Sequence, residues 1–204
     1  MSYIIHVIFG VVMAYVGLIS PGMLNMTALK IRINLGKIES VKFAIGASCV
    51  VFFQAGIALF FADFLAENPK IIEVLKVAAV FVFFSLSIFF FLLSKKEVNS
   101  KVNVTNQNYF MKGVAMSSIN MLAVPFYLGI SVYLVSMNKI IMQQPFILLF
   151  VIGASIGSFS LFYTYIIFAK IIIKKVSFIA TNINIILSLL FMVLGILTLI
   201  KLLT

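Results

Sequence analysis

Apolar residues in this chain come in long runs, not in the alternation of a half-buried strand or the single stripe of a soluble amphipathic helix. Six runs are long enough to cross a hydrocarbon layer, which takes about 20 mostly apolar residues. They are Ile4 to Met26, Val41 to Ala62, Ile71 to Leu93, Gly113 to Val135, Pro145 to Ala169 and Phe178 to Ile200. The pattern predicts an all-α integral membrane protein with six transmembrane helices. Stretches such as Phe81-Val82-Phe83-Phe84 and Ile88 to Leu93 are apolar all round, which suits helices in lipid. A membrane barrel would show period-two hydrophobicity instead. Polar gaps separate the runs at Lys30 to Ser40, Asp63 to Lys70, Ser94 to Lys112, Ser136 to Gln144 and Lys170 to Ser177. Pro69 and Pro145 stand at the starts of the third and fifth spans, where a missing N–H costs nothing.

Composition agrees with the pattern: 10% of residues are charged, against about 25% in a soluble domain. The net charge of +10 raises the question of nucleic acid. The 14 lysines and Arg32, however, sit in short gaps and form no continuous basic face, so no nucleic-acid partner is expected. They read as topology marks at a membrane surface. The first, third and fifth gaps with their margins hold eleven of them, Lys30, Arg32, Lys37, Lys42, Lys95, Lys96, Lys101, Lys112, Lys170, Lys174 and Lys175. The other side holds Lys70, Lys76, Lys139 and Lys201. Both termini are therefore expected on the non-cytoplasmic side of the cytoplasmic (inner) membrane. The first run lacks a basic n-region and is too long for the core of a signal peptide, so it is expected to be retained.

An internal repeat adds architecture. Phe43-Ala44-Ile45-Gly46-Ala47-Ser48 opens the second span and Phe150-Val151-Ile152-Gly153-Ala154-Ser155 opens the fifth, at a spacing of 107. The first and fourth spans each carry a proline inside the apolar run, Pro21 and Pro125. If spans one to three repeat as four to six, the odd number of crossings inverts one copy, as in many secondary transporters. The expected organisation is one membrane domain: a repeat over 1–93, a cytoplasmic loop over 94–112 and a second repeat over 113–204.

Candidate chemistry is sparse. A proline inside a helix deprives the carbonyl four residues back of its partner, so Pro21 and Pro125 should free the carbonyls of Gly17 and Met121. In lipid such groups are satisfied by protein, water or substrate, and a kink healed by neighbouring side chains remains an alternative. Asn25, Gln54, Asn120, Tyr127, Ser131, Ser155, Ser158, Tyr163 and Tyr165 are polar within apolar runs. They either line a polar path or act as interhelical glue worth about 0.6 kcal/mol each. Gly153 and Gly157 form a GxxxG that packs helices within the chain or joins two copies. No carboxylate lies in the middle of a span, which gives no support to proton coupling through a buried acid. Cys49 and His6 are the only cysteine and histidine, read as a packing residue and an interfacial one. They can build neither disulfide nor metal centre, and no cofactor is expected. An enzyme lacks an acid, a base or an activated nucleophile within the membrane.

The segment Ser20-Pro21-Gly22-Met23-Leu24-Asn25, followed by Gly36 in a basic loop and Gly46 in the second span, resembles the lysine exporter family of amino-acid efflux proteins (LysE/RhtB type). The likeness covers the whole length: six apolar segments around a central hydrophilic loop. Met23 replaces the second proline of the family's Pro-Gly-Pro, and Ser40 takes the place of the basic loop's second glycine. Asn120-Met121-Leu122 stands where Asn-Pro-Lys is usual, with the proline displaced to Pro125. The resemblance implies a secondary transporter exporting amino acids or similar small polar metabolites, with membrane lipid as its other partner. A non-transporting accessory subunit is the alternative. The expected substrate-binding residues are Gly17, Pro21, Gly22, Asn25, Gln54, Asn120, Met121, Pro125 and Tyr127.

Overall fold

The computed structural model describes residues 3–19, 22–67, 108–120 and 122–172, nine positions between 77 and 92, positions 185, 188 and 189, and 192–200. Among them the chain is helical, with no strand. The continuous helices are α1 (Tyr3–Gly17), α2 (Met23–Leu35), α3 (Lys37–Glu67), α4 (Tyr109–Ser118), α5 (Ala123–Ser136) and α6 (Phe146–Ile167).

Two expected spans are each built from two helices. The first is α1 followed by α2, and α2 does not stop at the membrane edge. It runs through Lys30 and Arg32 to Leu35, and α3 starts at Lys37, so the expected basic loop is helical. Lysine and arginine are good helix formers, and Leu24, Ala28 and Ile31, at i, i+4 and i+7, give α2 a buried face. The corner is Gly36 alone, at φ 100°, a conformation that favours glycine. The fourth span is α4 plus α5, bent by 64° at its break. It begins earlier than expected because Asn108 caps α4, its side chain accepting from the N–H groups of Phe110 and Met111.

Two helices are long and apolar enough to cross a membrane unbroken, or three spans if the bent pair counts as one, among the described residues. α3 has 31 residues, or about 46 Å at 1.5 Å per residue, and α6 has 22, or about 33 Å. Both exceed a hydrocarbon core of about 30 Å. The third expected span lies mostly, and the sixth in part, outside the described residues, though every described position in 77–92 and 185–200 is helical.

The chain divides into two compact units, Met1–Asp63 with Val102–Lys175 and Phe64–Lys101 with Val176–Thr204. The interior of the first combines large side chains, Phe43, Tyr127, Phe150 and Phe162, with the small ones of Ala14, Ala55, Ala58, Ala123 and Ala154, whereas Phe53, Phe60 and Ile38 are exposed. Small residues between helices let them approach closely, and large apolar side chains on the outer face suit lipid. The closest approaches are at glycines. A Cβ on Gly10 of α1 would strike the Phe150 carbonyl oxygen and the Ala154 nitrogen of α6. On Gly113 of α4 it would strike the Phe43 carbonyl oxygen and the Ala47 nitrogen of α3. In return, Gly153 meets the Val7 carbonyl and Gly46 the Phe110 carbonyl. Gly157 meets that of Val11, so the GxxxG face is covered by α1 of the same chain. Between the two Gly-Ala-Ser segments, the Ser155 hydroxyl donates to the Ser48 carbonyl at 2.9 Å.

In the second unit Ser87 and Ser188 hold each other reciprocally, each hydroxyl donating to the other's carbonyl at 2.9 Å.

Candidate functional site

The two helix breaks gather most of the polar groups singled out in the sequence. At the first, α1 ends at Gly17 and α2 opens after Gly22, whose backbone is extended and supplies no side-chain cap. Pro21 lies outside the described residues. The carbonyls met by side chains are those of Leu18 and Ile19. Asn25, buried one turn into α2, reaches back so that its Nδ2 donates to the Leu18 carbonyl at 2.7 Å. Tyr165 of α6 donates its hydroxyl to the Ile19 carbonyl at 2.8 Å. Nearby on α6, Thr164 shares a 3.1 Å hydrogen bond with the Tyr15 hydroxyl. In lipid these caps do for an interrupted helix what water does elsewhere.

At the second break α4 ends at Ser118 and the chain turns through Ile119 to Leu122. Met121 lies outside the described residues. Pro125 is not a helix-interior proline as expected: it occupies the first turn of α5, where prolines are tolerated. Gln54 of α3 spans the gap, its Nε2 donating to the Ser117 carbonyl at 2.9 Å and the Asn120 carbonyl at 3.4 Å. Asn120 thus enters through its backbone. Gln54 Oε1, the Ser117 hydroxyl and the Tyr127 hydroxyl are buried with no hydrogen-bond partner. Tyr127 is fully buried in a cluster that also holds Val51 and Ala55 of α3, which flank Gln54 in the chain.

The breaks are neighbours. The Phe126 ring, next to Pro125, lies against Gly17 so closely that a Cβ there would overlap it. The end of α1 and the start of α5 therefore border one region, with Asn25 and Tyr165 serving one break and Gln54 the other. Opposite helix ends meet it: the C-termini of α1 and α4 carry partial negative charge and the N-terminus of α2 partial positive charge.

Other polar residues are occupied elsewhere. The Ser131 and Ser158 hydroxyls bond carbonyls of their own helices at 2.9 Å, and Tyr163 lies beneath the Lys37 ammonium at 5.3 Å. Cys49 is exposed, not a packing residue. His6, read as interfacial, is fully buried: its Nε2 accepts from the Ile141 N–H at 3.0 Å and its ring lies 4.6 Å from that of Phe146. A backbone partner such as Ile141 leaves no mark in a sequence. Tyr165, singled out as polar but not placed among the site residues, serves the first break, and Ser117 was missed; a hydroxyl beside a run that breaks is its only trace. Among the described residues no three of His, Cys, Asp and Glu come together to hold a metal.

Long apolar helices, with interruptions capped by buried side chains, are those of a multi-pass membrane protein. The family model described as LysE type translocator matches residues 15–202, and the chain belongs to that family. No curated protein and no solved structure matches the chain significantly. Membership makes it a membrane translocator of a small molecule, from a family of transporters and not of enzymes.

Proposed function

We propose that the protein is a secondary transporter exporting amino acids or similar small polar metabolites across the cytoplasmic membrane, with both termini outside. The observation that carries this reading is the adjacency of the two breaks through Gly17 and Phe126. On this reading Gly17, Gly22 and Asn25 of one break and Gln54, Asn120, Pro125 and Tyr127 of the other serve one substrate site, to which Pro21 and Met121, outside the described residues, are assigned as well. The first N–H groups of α2 after Gly22 offer a carboxylate the positive end of a helix, and the C-terminus of α4 offers a cation the negative end. A zwitterion uses both.

Six spans in two inverted repeats belong to the same proposal. It is supported by the matching glycine contacts, Gly10 on Phe150 and Ala154 as Gly113 is on Phe43 and Ala47. Each partner pair in one set is the sequence counterpart of the pair in the other. The test is reconstitution into liposomes loaded with a panel of L-amino acids. Efflux of at least one, saturable and absent from empty liposomes, is the expected result. If the pure, folded protein moves none of them, an accessory subunit is the better reading.

A further inference from the structure

Gln54 is held in one orientation. Its Nε2 faces two carbonyl oxygens, of Ser117 and Asn120, and a flipped amide would bring a third oxygen against them. The oxygen, Oε1, is therefore presented as a pure acceptor, on a side chain 8% exposed and without a hydrogen-bond partner. Ser117 stands next to it, since its own carbonyl receives the Gln54 amide, and its fully buried hydroxyl is also unpartnered. That is unusual for a serine in an apolar helix. The neighbouring Ser118 bonds the Val114 carbonyl at 2.9 Å, and Ser160 bonds the Ile156 carbonyl at 2.8 Å. The Tyr127 hydroxyl is a third buried oxygen of this kind in the adjoining cluster.

Buried polar atoms in native proteins are nearly always paired, so these oxygens point to a polar ligand, and Gln54 Oε1 requires that it bring a donor, which the two hydroxyls can also accept. Gln54 Oε1 can only accept. The C-terminus of α4 and the N-terminus of α5 bring opposite partial charges to the break, so the sign is set by Gln54 Oε1, an obligate acceptor that disfavours an anion and favours a donor. We propose that this break reads the primary ammonium of the transported compound. Gln54 Oε1 and Ser117 Oγ are its acceptors, and Tyr127 Oη completes the three that an ammonium with three N–H bonds requires. The inference rests on the transport reading above and assigns the amine to the α4–α5 break, leaving the carboxylate to the α2 end. The acceptors are side chains, because Gln54 already takes the carbonyls of Ser117 and Asn120 beside it.

The experiment uses detergent-purified full-length protein, with binding followed by calorimetry and transport by efflux from liposomes. The probes are L-amino acids, each compared with its Nα-acetyl derivative, whose α-nitrogen has one N–H donor and no charge while the carboxylate is kept. We expect at least one free amino acid to bind, its acetyl derivative to bind at least tenfold more weakly, and Ser117→Ala and Gln54→Met each to weaken the free amine about tenfold. Ser117→Ala keeps the helix intact, so its result stands even if Gln54→Met fails to fold. Equal binding of the acetyl derivative, wild-type affinity in Ser117→Ala, or no binding by any probe at 10 mM overturns the assignment. Transport insensitive to both substitutions defeats this inference and leaves the exporter standing. Amine-selective binding lost in Ser117→Ala, with no efflux of any probe, supports the site and defeats the exporter.

Discussion

Replacing Gly113 by alanine puts one methyl group where α4 rests on α3. The added Cβ would lie more than an ångström inside ordinary contact with the Phe43 carbonyl oxygen, and would press on the Ala47 nitrogen as well. Both are backbone atoms within a long helix, so no rotamer change relieves the clash and α4 must move outward as a body. Overpacking of this kind costs about 1–3 kcal/mol where side chains can adjust. With backbone on both sides we expect the upper end, about 3 kcal/mol. Gly56 and Gly129 supply the control, since a Cβ at either meets nothing within 4 Å. Alanine there should stabilise by about 0.5–1 kcal/mol through the helical preference of alanine over glycine. Melting of the purified protein in detergent, at roughly 2–4 °C per kcal/mol, should place Gly113→Ala well below wild type and Gly129→Ala level with it or above. A Gly113→Ala protein that melts with the wild type would refute the claim that this close approach limits the packing. The counterpart Gly10→Ala, which meets matching atoms of α6, should lose a similar amount. The double variant should be additive, because the two contacts lie on different helix pairs.

Four further outcomes follow from contacts described above. Tyr165→Phe removes the donor to the Ile19 carbonyl and should lower stability by about 1–3 kcal/mol; an unchanged melting point would show that another group caps that carbonyl. Asn25→Ala and Pro21→Ala are expected to reduce efflux per folded molecule far more than the folded yield, while Ser85→Ala does neither; efflux that survives both places the site elsewhere. His6→Leu strands the Ile141 N–H and should accelerate amide exchange at Ile141, so exchange at the wild-type rate would count against that bond. A reporter active only outside the cytoplasm should work when fused after Thr204 and fail within 94–112, and the reverse would invert the proposed topology.

What was legible in the sequence was whatever depends on a residue's immediate neighbours. Run length marked α3 and α6, and the recurring Gly-Ala-Ser marked where backbones touch. Pro21 and Pro125 pointed to the spans that break, but not to the groups exposed there. A proline argument nominates the carbonyl four residues back, yet the carbonyls that side chains reach are those of Leu18, Ile19, Ser117 and Asn120. Which side chain comes across is a matter of tertiary structure. Gln54 lies 63 residues from Ser117, and Tyr165 lies 146 from Ile19. Likewise, Lys30 and Arg32 were read as loop because charge signals the membrane edge, though nothing in their chemistry prevents α2 from continuing. The burial of His6 depends on the chain after α5 returning across α1.

The exchange of helices between the halves also bears on how the protein is made. α1 is covered by α6 and α3 by α4, so the glycine faces at Gly10 and Gly46 belong to the first half of the chain while their partners belong to the second. During synthesis both faces emerge early and stay open until residues 109–157 have been translated. Among the described residues the segments that meet these two glycine faces all belong to the second half. A chain cut within 94–112 should accordingly yield two fragments that are unstable when made separately and protected when made together, as each shields the glycine backbone the other leaves bare.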